Sequence, residues 1–352
     1  VLLNPGELPI NLKQVQGYPI IVTESSWVPP LGYQSEGPFL VAAYQSLTGV
    51  DGFYWFATGR TEWQPPESAN GFVEAIGKWV CATPMLLGNF PAAALLYRMN
   101  YVQRGEPVII EERPPLALWR RLPPLIAEER SYDPNRDTGD GAAKPAARQR
   151  VSPLSFLIGP VLVKYSGHPT NSFVAPMASF VDAKRKTVRS NTGELVMDCA
   201  RGVCVVNAPK AQGASGFLNR AGQIILADTT IISSNEYATV LIVALDDQPL
   251  KNSTNILVQV GTQARPTGWE VDATEIKSDG GVTLQGFRVV DFGRAPWQII
   301  NTDVHLSIAN PALTHAVALD ANGMALTTMA LTASNGVARV SLPPRTLYTV
   351  LR

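Results

Sequence analysis

The sequence predicts a fold in two parts, an α/β half followed by an antiparallel β-sandwich, and three observations support this prediction. Up to about residue 130, short apolar runs alternate with helical stretches. From about residue 151 onwards, strand follows strand, separated by Gly, Asn and Asp. Charged residues make up 16% of the chain, whereas Gly and Pro number 28 each, a composition typical of a folded, loop-rich and strand-rich protein.

Length and charge narrow the class of protein. The chain has 352 residues, which predicts roughly two domains at about 150 residues each. Lys and Arg together number 29, as do Asp and Glu, so the net charge is zero, which argues against a general nucleic-acid binder or a basic membrane-surface protein. Apolar stretches such as residues 156–163 are too short to span a bilayer. We therefore expect neither nucleic acid nor a membrane as a partner.

Residues 19–57 predict a strand, a helix and a second strand. Residues 19–24 (PIIVTE) form a continuous apolar run that ends in a carboxylate, which is typical of a strand buried in a parallel sheet. Pro38 suits the first turn of a helix that Gly49 ends. Residues 51–57 (DGFYWFA) are a second apolar strand, so the segment predicts a βαβ unit. The residues that share one face of the helix at 3.6-residue spacing are Phe39, Leu40, Ala43, Tyr44 and Leu47.

The remainder of the first half leads to a predicted domain boundary. We expect a helix over residues 89–102, a strand over 107–111 and a helical piece over 116–128 that is interrupted at Pro123 and Pro124. Residues 131–150 are polar and rich in turn formers, which indicates a connector. The predicted domains are therefore residues 1–150 and residues 151–352.

In the second half, turn signals separate short strands such as 239–245, 255–260 and 285–290, as in an antiparallel sandwich. One hairpin, with Arg201 and Gly202 at its tip, would place Cys199 opposite Cys204. That geometry could hold a disulfide, and two reduced, partly buried thiols are the alternative. Cys81 is expected to be a small core residue.

A carboxylate and several aromatic residues follow the predicted parallel strands. Glu24 ends the first strand, Tyr54 and Trp55 lie near the end of the second, and Trp63 lies in the loop beyond. Aromatic rings cover the C–H face of a pyranose while a carboxylate acts at the anomeric carbon. The pattern therefore indicates sugar recognition at the carboxyl ends of these strands.

These residues resemble the clan-A retaining glycoside hydrolases, the cellulase-like (β/α)8 enzymes. The resemblance rests on residues 19–24, on Trp27 and on residues 51–56, which look like the seventh and eighth strands of that barrel. It implies that the first half is the C-terminal part of a (β/α)8 TIM barrel and that the second half is an accessory β-sandwich. It places the nucleophile on Glu24 and the floor of the subsite at the cleaved bond on Trp55. Residues 191–198 and 205–213 are similar to part of such accessory domains in bacterial enzymes.

The chain departs from the family in one respect. The family's acid/base glutamate ends the fourth strand, over a hundred residues before the nucleophile. Only 23 residues precede Glu24 in this sequence, so the acid/base glutamate is not among them. A retaining site needs two carboxyl groups about 5 Å apart. Residues 1–10 lack a secretion signal, and the chain lacks an initiating Met, so we expect a piece of a larger or processed protein. The acid/base glutamate is therefore expected on an N-terminal barrel segment of the same protein or on a separate chain.

The predicted function is hydrolysis of a β-linked oligosaccharide or polysaccharide by a retaining double displacement, without a cofactor. Glu24 would be the nucleophile. By resemblance, the enzyme would act outside the cell or in the periplasm, where polymeric substrates remain. The candidate substrate-binding residues are Trp27, Tyr33, Tyr54, Trp55 and Trp63.

Each of these assignments has a structural alternative. Glu24 could cap a helix or pair with an Arg, and the tryptophans and Tyr33 could pack as core or loop anchors. Glu36, at the helix start, is expected to be structural because a helix N-terminus favours negative charge. For the whole protein, the alternatives are a non-catalytic carbohydrate-binding or structural module and an inactive clan-A relative.

The sequence gives little support for a zinc, calcium, phosphate-binding or serine-nucleophile site. The three histidines, His168, His305 and His315, lie far apart without ligands at zinc spacing. The acidic loop at residues 133–140 has alternating oxygen ligands, but Lys144 stands where a calcium loop needs Glu, so a solvated connector is favoured. No G-x-S-x-G or glycine-rich phosphate loop is present. Trp269 and Trp297 are expected to pack rather than to bind glycan.

Overall fold

The computed structural model describes residues 1–28, 30–57, 81–126, 151–277 and 283–352. The elements up to residue 126 are β1 (Gln14–Val15), β2 (Ile21–Ser25), α1 (Glu36–Thr48), β3 (Gly52–Trp55), α2 (Pro84–Leu87), α3 (Phe90–Arg98), β4 (Ile109–Glu112) and α4 (Pro115–Trp119). Those that follow residue 150 are β5 (Val161–Lys164), β6 (Phe173–Val174), β7 (Val181–Asp182), β8 (Thr187–Arg189), β9 (Leu195–Asp198), β10 (Val203–Ala208), β11 (Ala211–Gly216), α5 (Leu218–Ala221), β12 (Ile224–Ile225), β13 (Thr229–Ser233), β14 (Ala238–Ala244), β15 (Ile256–Gly261), β16 (Ala264–Lys277), β17 (Thr283–Ile299), β18 (Val304–Ile308), β19 (His315–Leu319), β20 (Ala325–Ala330), β21 (Thr332–Ser334), β22 (Val337–Ser341) and β23 (Tyr348–Leu351).

The predicted βαβ unit is confirmed. Strands β2 and β3 pair in parallel, with Ile21 opposite Gly52, and α1 connects them. Gly49 ends α1 at a φ of 77°, a left-handed conformation that suits glycine, and its N–H donates to the Gln45 carbonyl oxygen at 2.8 Å. The apolar run and the helix signals therefore specified the elements correctly. The expected burial of β2 is wrong: Ile21, Thr23 and Glu24 are exposed and only Val22 is buried, because β2 pairs with β3 alone among the described strands.

The prediction of a (β/α)8 barrel fragment is wrong. The described part of the chain is mostly strand, with few helices. Strands β2 and β3 form a two-stranded sheet of their own, and β4 does not join them. Instead β4 lies in a four-stranded sheet of order β1-β5-β4-β6, where it pairs in parallel with β5. An apolar run predicts a buried strand, but its partner is decided by packing between segments that are distant in sequence, and here that partner lies beyond residue 150.

The second half forms two larger antiparallel sheets. One has ten strands in the order β20-β19-β23-β15-β14-β11-β10-β9-β8-β7, and the other has five in the order β12-β13-β18-β22-β21. Side chains from both sheets, among them Ile242 of β14 and Leu306 of β18, bury one apolar core. This is the packing expected of a β-sandwich.

A second apolar core joins the two halves of the chain. All 13 residues of α1 are buried, and α1 packs against α3 and against β11 and β14. On β14, Leu241 and Val243 face this core, whereas Val240 and Ile242 face the sandwich core. The strand is thus covered on both faces, which explains its continuous apolar sequence. The predicted boundary at residue 150 lies outside the described residues.

Strands β16 and β17 pair as a long two-stranded ribbon. Near its base, the Arg265 guanidinium lies 4.6 Å from the centre of the Trp269 ring, and the Trp269 and Phe292 rings are 5.8 Å apart. Trp269 and Trp297 are half-buried on this ribbon. Trp269 packs there against Phe292, and neither tryptophan belongs to the two apolar cores of the described residues.

The hairpin that contains two cysteines has a longer loop than predicted. Val203 pairs with Asp198 and Cys204 with Met197, so four residues rather than two close the turn, and Cys199 lies in the loop. Asp198 specifies this loop because its carboxylate accepts the Arg201 backbone N–H at 2.9 Å and the Arg201 Nε–H at 2.7 Å. All three cysteines are free thiols.

The environment of Cys204 predicts an unreactive thiol. Cys204 is fully buried, its Sγ lies 3.9 Å from the Tyr44 hydroxyl, and burial raises its pKa to about 12. Because the thiolate is the reactive form, we expect an aromatic disulfide reagent at pH 8 to label half-buried Cys199 at least tenfold faster than Cys204. Mass mapping of the native protein measures this difference. Rapid labelling of Cys204 in a folded Cys199→Ser variant would contradict it.

Candidate functional site

Glu24 lies on β2, near its carboxyl end, and its side chain is exposed. Among the residues that the structure describes, it forms no hydrogen bond or ion pair. The register of β2 and β3 shifts between Val22 and Ser25, so Glu24 lies where the regular pairing is interrupted. A carboxylate in this position is open to solvent and to a ligand.

The two aromatic residues at the end of β3 have different environments. Trp55 lies opposite Ser25 of β2 and is half-buried, with its ring 4.9 Å from Phe53, 5.8 Å from Trp27 and 5.2 Å from Phe90. Tyr54, by contrast, is 61% exposed, so its ring remains free to contact a ligand. Adjacent strand residues point to opposite faces, which accounts for the difference.

Trp27 is part of the protein's core rather than of its surface. It is only 2% exposed, and its Nε1–H donates to Glu36 Oε1 at 2.9 Å. Gly37, in the first turn of α1, leaves the space that the Trp27 and Trp55 rings fill, since a Cβ there would lie 2.9 Å from the Trp27 ring. The buried Trp27 indole therefore supports the half-buried Trp55 ring.

Glu36 connects this region to the second half of the chain. It lies in the first turn of α1, as the sequence predicted, and it is buried. Its second carboxyl oxygen accepts a hydrogen bond from the Tyr237 hydroxyl. Burial, and then the neighbouring Glu36, raise the pKa of Tyr237 well above its usual value. Tyr237 was not expected from the sequence, because it lies 201 residues away.

Tyr33 packs against Tyr237, the partner of the buried Glu36. Its ring stacks on Tyr237 at 4.1 Å and meets Phe217 edge-on at 5.3 Å. It is half-buried, and burial, followed by the charge of Glu236, raises its pKa. Trp63, the remaining candidate, lies outside the described residues.

A Ser–His–Asp arrangement exists that the sequence did not indicate. His305 Nδ1 lies 2.8 Å from Ser341 Oγ, and His305 Nε2 lies 3.5 Å from Asp303 Oδ1. The pairing of β18 with β22 brings His305 opposite Ser341, so no local motif could reveal it. The imidazole is 58% exposed, and solvent weakens the electrostatic support that such a group gives a nucleophile. We therefore assign it no catalytic role.

Neither a metal centre nor a membrane-spanning helix is found in the described ranges. These residues contain no group of three or more His, Cys, Asp or Glu side chains placed to hold a metal ion. The acidic loop at 133–140 lies outside them. Within the same ranges, no helix combines the length and the apolar character that crossing a membrane requires.

The site thus combines an exposed Glu24, which has no partner among the described residues, with an exposed Tyr54 and with Trp55, which Trp27 and Glu36 hold in place. Its groups are a carboxylate and aromatic rings on two paired strands. Comparison with known proteins found no family model, no curated protein and no solved structure that matches this chain.

Proposed function

We propose that this protein takes part in the hydrolysis of β-linked glycans by a retaining mechanism in which Glu24 is the nucleophile. The observation that carries the proposal is the exposed carboxylate of Glu24, which has no partner among the described residues and lies on a strand paired with that of Tyr54 and Trp55. A nucleophile must be able to reach the anomeric carbon, and the exposed carboxylate of Glu24 is accessible to a ligand.

The reaction requires two carboxyl groups. Glu24 attacks the anomeric carbon, the bond to the leaving oxygen breaks, and a glycosyl-enzyme ester forms. A second carboxyl group protonates the leaving oxygen and then takes a proton from the water that hydrolyses the ester. We assign this second group to an N-terminal segment of the same protein or to a separate chain. No cofactor is needed, and action on polymers would place the protein outside the cell or in the periplasm.

The aromatic residues would orient the sugar. Trp55, half-buried opposite Ser25 on the neighbouring strand, would form the floor of the subsite, and Tyr54, on the other face of β3, would offer its exposed ring to a further part of the glycan. Trp27 and Tyr33 would support this surface from within, and Trp63 remains a predicted contact. A non-catalytic glycan-binding module is the second candidate, because the exposed ring of Tyr54 could bind a sugar without any chemistry at Glu24.

Covalent trapping tests the nucleophile without requiring the second carboxyl group. In a 2-fluoroglycoside with a dinitrophenolate leaving group, the leaving group departs without protonation, and the fluorine slows hydrolysis of the ester. We expect one label per chain on the peptide that contains Glu24, read by mass spectrometry for gluco-, xylo- and manno-configured reagents. No label at Glu24 with any of the three, or equal labelling of the Glu24→Gln variant, would overturn the proposal.

A further inference from the structure

A groove lies at the carboxyl ends of the parallel strands β1 and β5, on a different part of the surface from Glu24. Its volume is about 600 Å³, within the range of about 300–1,000 Å³ that is typical of small-molecule sites. One wall comes from the turn between β1 and β2, and the other from the loop after β5. The carboxyl ends of parallel strands are a common place for ligands in α/β sheets. The groove's side chains include Gln16, Tyr18, Ile20, Lys164, Tyr165 and Ser166.

The first wall is a fixed turn. The Tyr18 N–H donates to the Val15 carbonyl oxygen at 3.1 Å, and Gly17 supplies the left-handed conformation, with a φ of 83°. The Gln16 N–H also donates to the Val163 carbonyl oxygen at 3.0 Å, which ties the turn to β5. Tyr18 is therefore presented by a backbone that is already in place.

The second wall is fixed by Glu112 of β4. Its Oε2 accepts the His168 backbone N–H at 2.9 Å, and its Oε1 lies 3.9 Å from Lys164 Nζ. Gly167 has a φ of 74°, and a Cβ at this position would overlap Glu112 Oε2. The loop that carries Tyr165 is thus held against the sheet, and the ammonium group of Lys164 is already paired.

Neither Tyr18 nor Tyr165 is part of an apolar core. Tyr18 is 72% exposed and Tyr165 is 48% exposed, so both rings are available to a ligand. Tyrosine combines an apolar ring with a polar hydroxyl, which matches the alternating C–H and O–H surfaces of a sugar. Gln16 and Ser166 add neutral groups that can donate and accept hydrogen bonds. Lys164 is the one cation in the described lining, it lies 3.9 Å from Glu112, and the other side chains there are neutral, so the lining favours a neutral polyhydroxylated ligand over a phosphate.

We propose that this groove binds a glycan chain at a site separate from Glu24, with Tyr18 and Tyr165 as the stacking surfaces. Pro19 and Ile20, which also line it, precede β2, whereas Glu24 lies toward the other end of that strand. The choice of a glycan as the ligand rests on the proposed function, but the position and chemistry of the groove do not. The groove would hold one part of a polymer on the protein while another part of the same polymer is cleaved.

Affinity electrophoresis of the full chain tests this proposal. Native gels would contain xylan, glucomannan or mixed-linkage β-glucan, and we expect at least one of these polymers to retard the wild-type protein. A lost stacking contact of about 1.4 kcal/mol corresponds to a tenfold loss of affinity, so Tyr18→Ala and Tyr165→Ala should each weaken retardation by about tenfold. Phe287→Ala is the matched control, because Phe287 is a similarly exposed ring (70%) on the β16–β17 ribbon.

The outcomes separate this proposal from the proposed function. Loss of retardation in the Tyr18→Ala/Tyr165→Ala double variant supports the groove proposal even if covalent trapping shows that Glu24 is not a nucleophile. The groove proposal is overturned if none of the three polymers retards the wild-type protein. It is also overturned if the Tyr18→Ala/Tyr165→Ala double variant, with an unchanged melting temperature, is retarded as strongly as wild type.

Discussion

Glu24→Gln is expected to abolish the first chemical step of glycoside cleavage. With a dinitrophenyl β-glycoside, the wild-type protein should release a burst of dinitrophenolate equal to the protein concentration, because attack by Glu24 needs no acid when the leaving group is this good. The glutamine amide has the same shape as the carboxylate but is not a nucleophile. We expect the rate of the burst to fall by roughly 10³-fold or more, measured by stopped-flow absorbance.

A matched substitution distinguishes chemistry from a general change of charge. Glu275 is an exposed glutamate on the ribbon, where it accepts a hydrogen bond from Gln285, and Glu275→Gln should leave the burst unchanged. If Glu24→Gln retained the full burst, Glu24 could not be the nucleophile. If the wild-type protein gave no burst, the glycan-binding module would become the better explanation of the site.

Glu36→Ala is expected to destabilise the fold by about 2–4 kcal/mol. The buried carboxyl group accepts hydrogen bonds from the Trp27 indole and the Tyr237 hydroxyl, and alanine would remove the acceptor of both. Each buried donor left without a partner costs about 1–3 kcal/mol. Tyr237 also lies near Ser215, a potential partner that limits the loss. The free energy of unfolding from urea titration measures the effect.

Two further variants test the assignment of this loss to hydrogen bonds. Glu36→Gln keeps an acceptor for Trp27 and offers an N–H to the Tyr237 oxygen, so it should cost less than Glu36→Ala. Glu236→Ala removes an exposed glutamate beside Tyr237 and should change stability by less than about 0.5 kcal/mol. Equal losses in Glu36→Ala and Glu236→Ala would contradict the proposed role of the buried carboxyl group.

The local structure of residues 19–57 followed from the sequence. An apolar run, a proline in the first helical turn and a glycine at the helix end are signals that act over a few residues, and β2, α1 and β3 formed where these signals predicted them. The strands of the second half, such as β14 and β15, also matched their apolar runs. Such signals predict an element but not its partner.

The errors concern which strands pair and how one hairpin closes. The barrel prediction placed the strands of residues 1–150 in one barrel, but β4 pairs with β5 in a sheet separate from β2 and β3. The cysteine hairpin was expected to have a two-residue turn, but the side chain of Asp198 stabilises a four-residue loop. In each case, a contact between side chain and backbone or between distant segments outweighed the local pattern.

The sequence by itself determined that the protein is folded and rich in strands, that residues 19–57 form a βαβ unit, and that Glu24 and Tyr54 lie on its paired strands. Only the tertiary structure decided that Glu24 is exposed, that Trp27 is buried against Glu36, and that Tyr237 completes this group. The reason is physical: hydrogen bonding and apolar periodicity within a segment are local, whereas burial depends on which distant surfaces cover that segment.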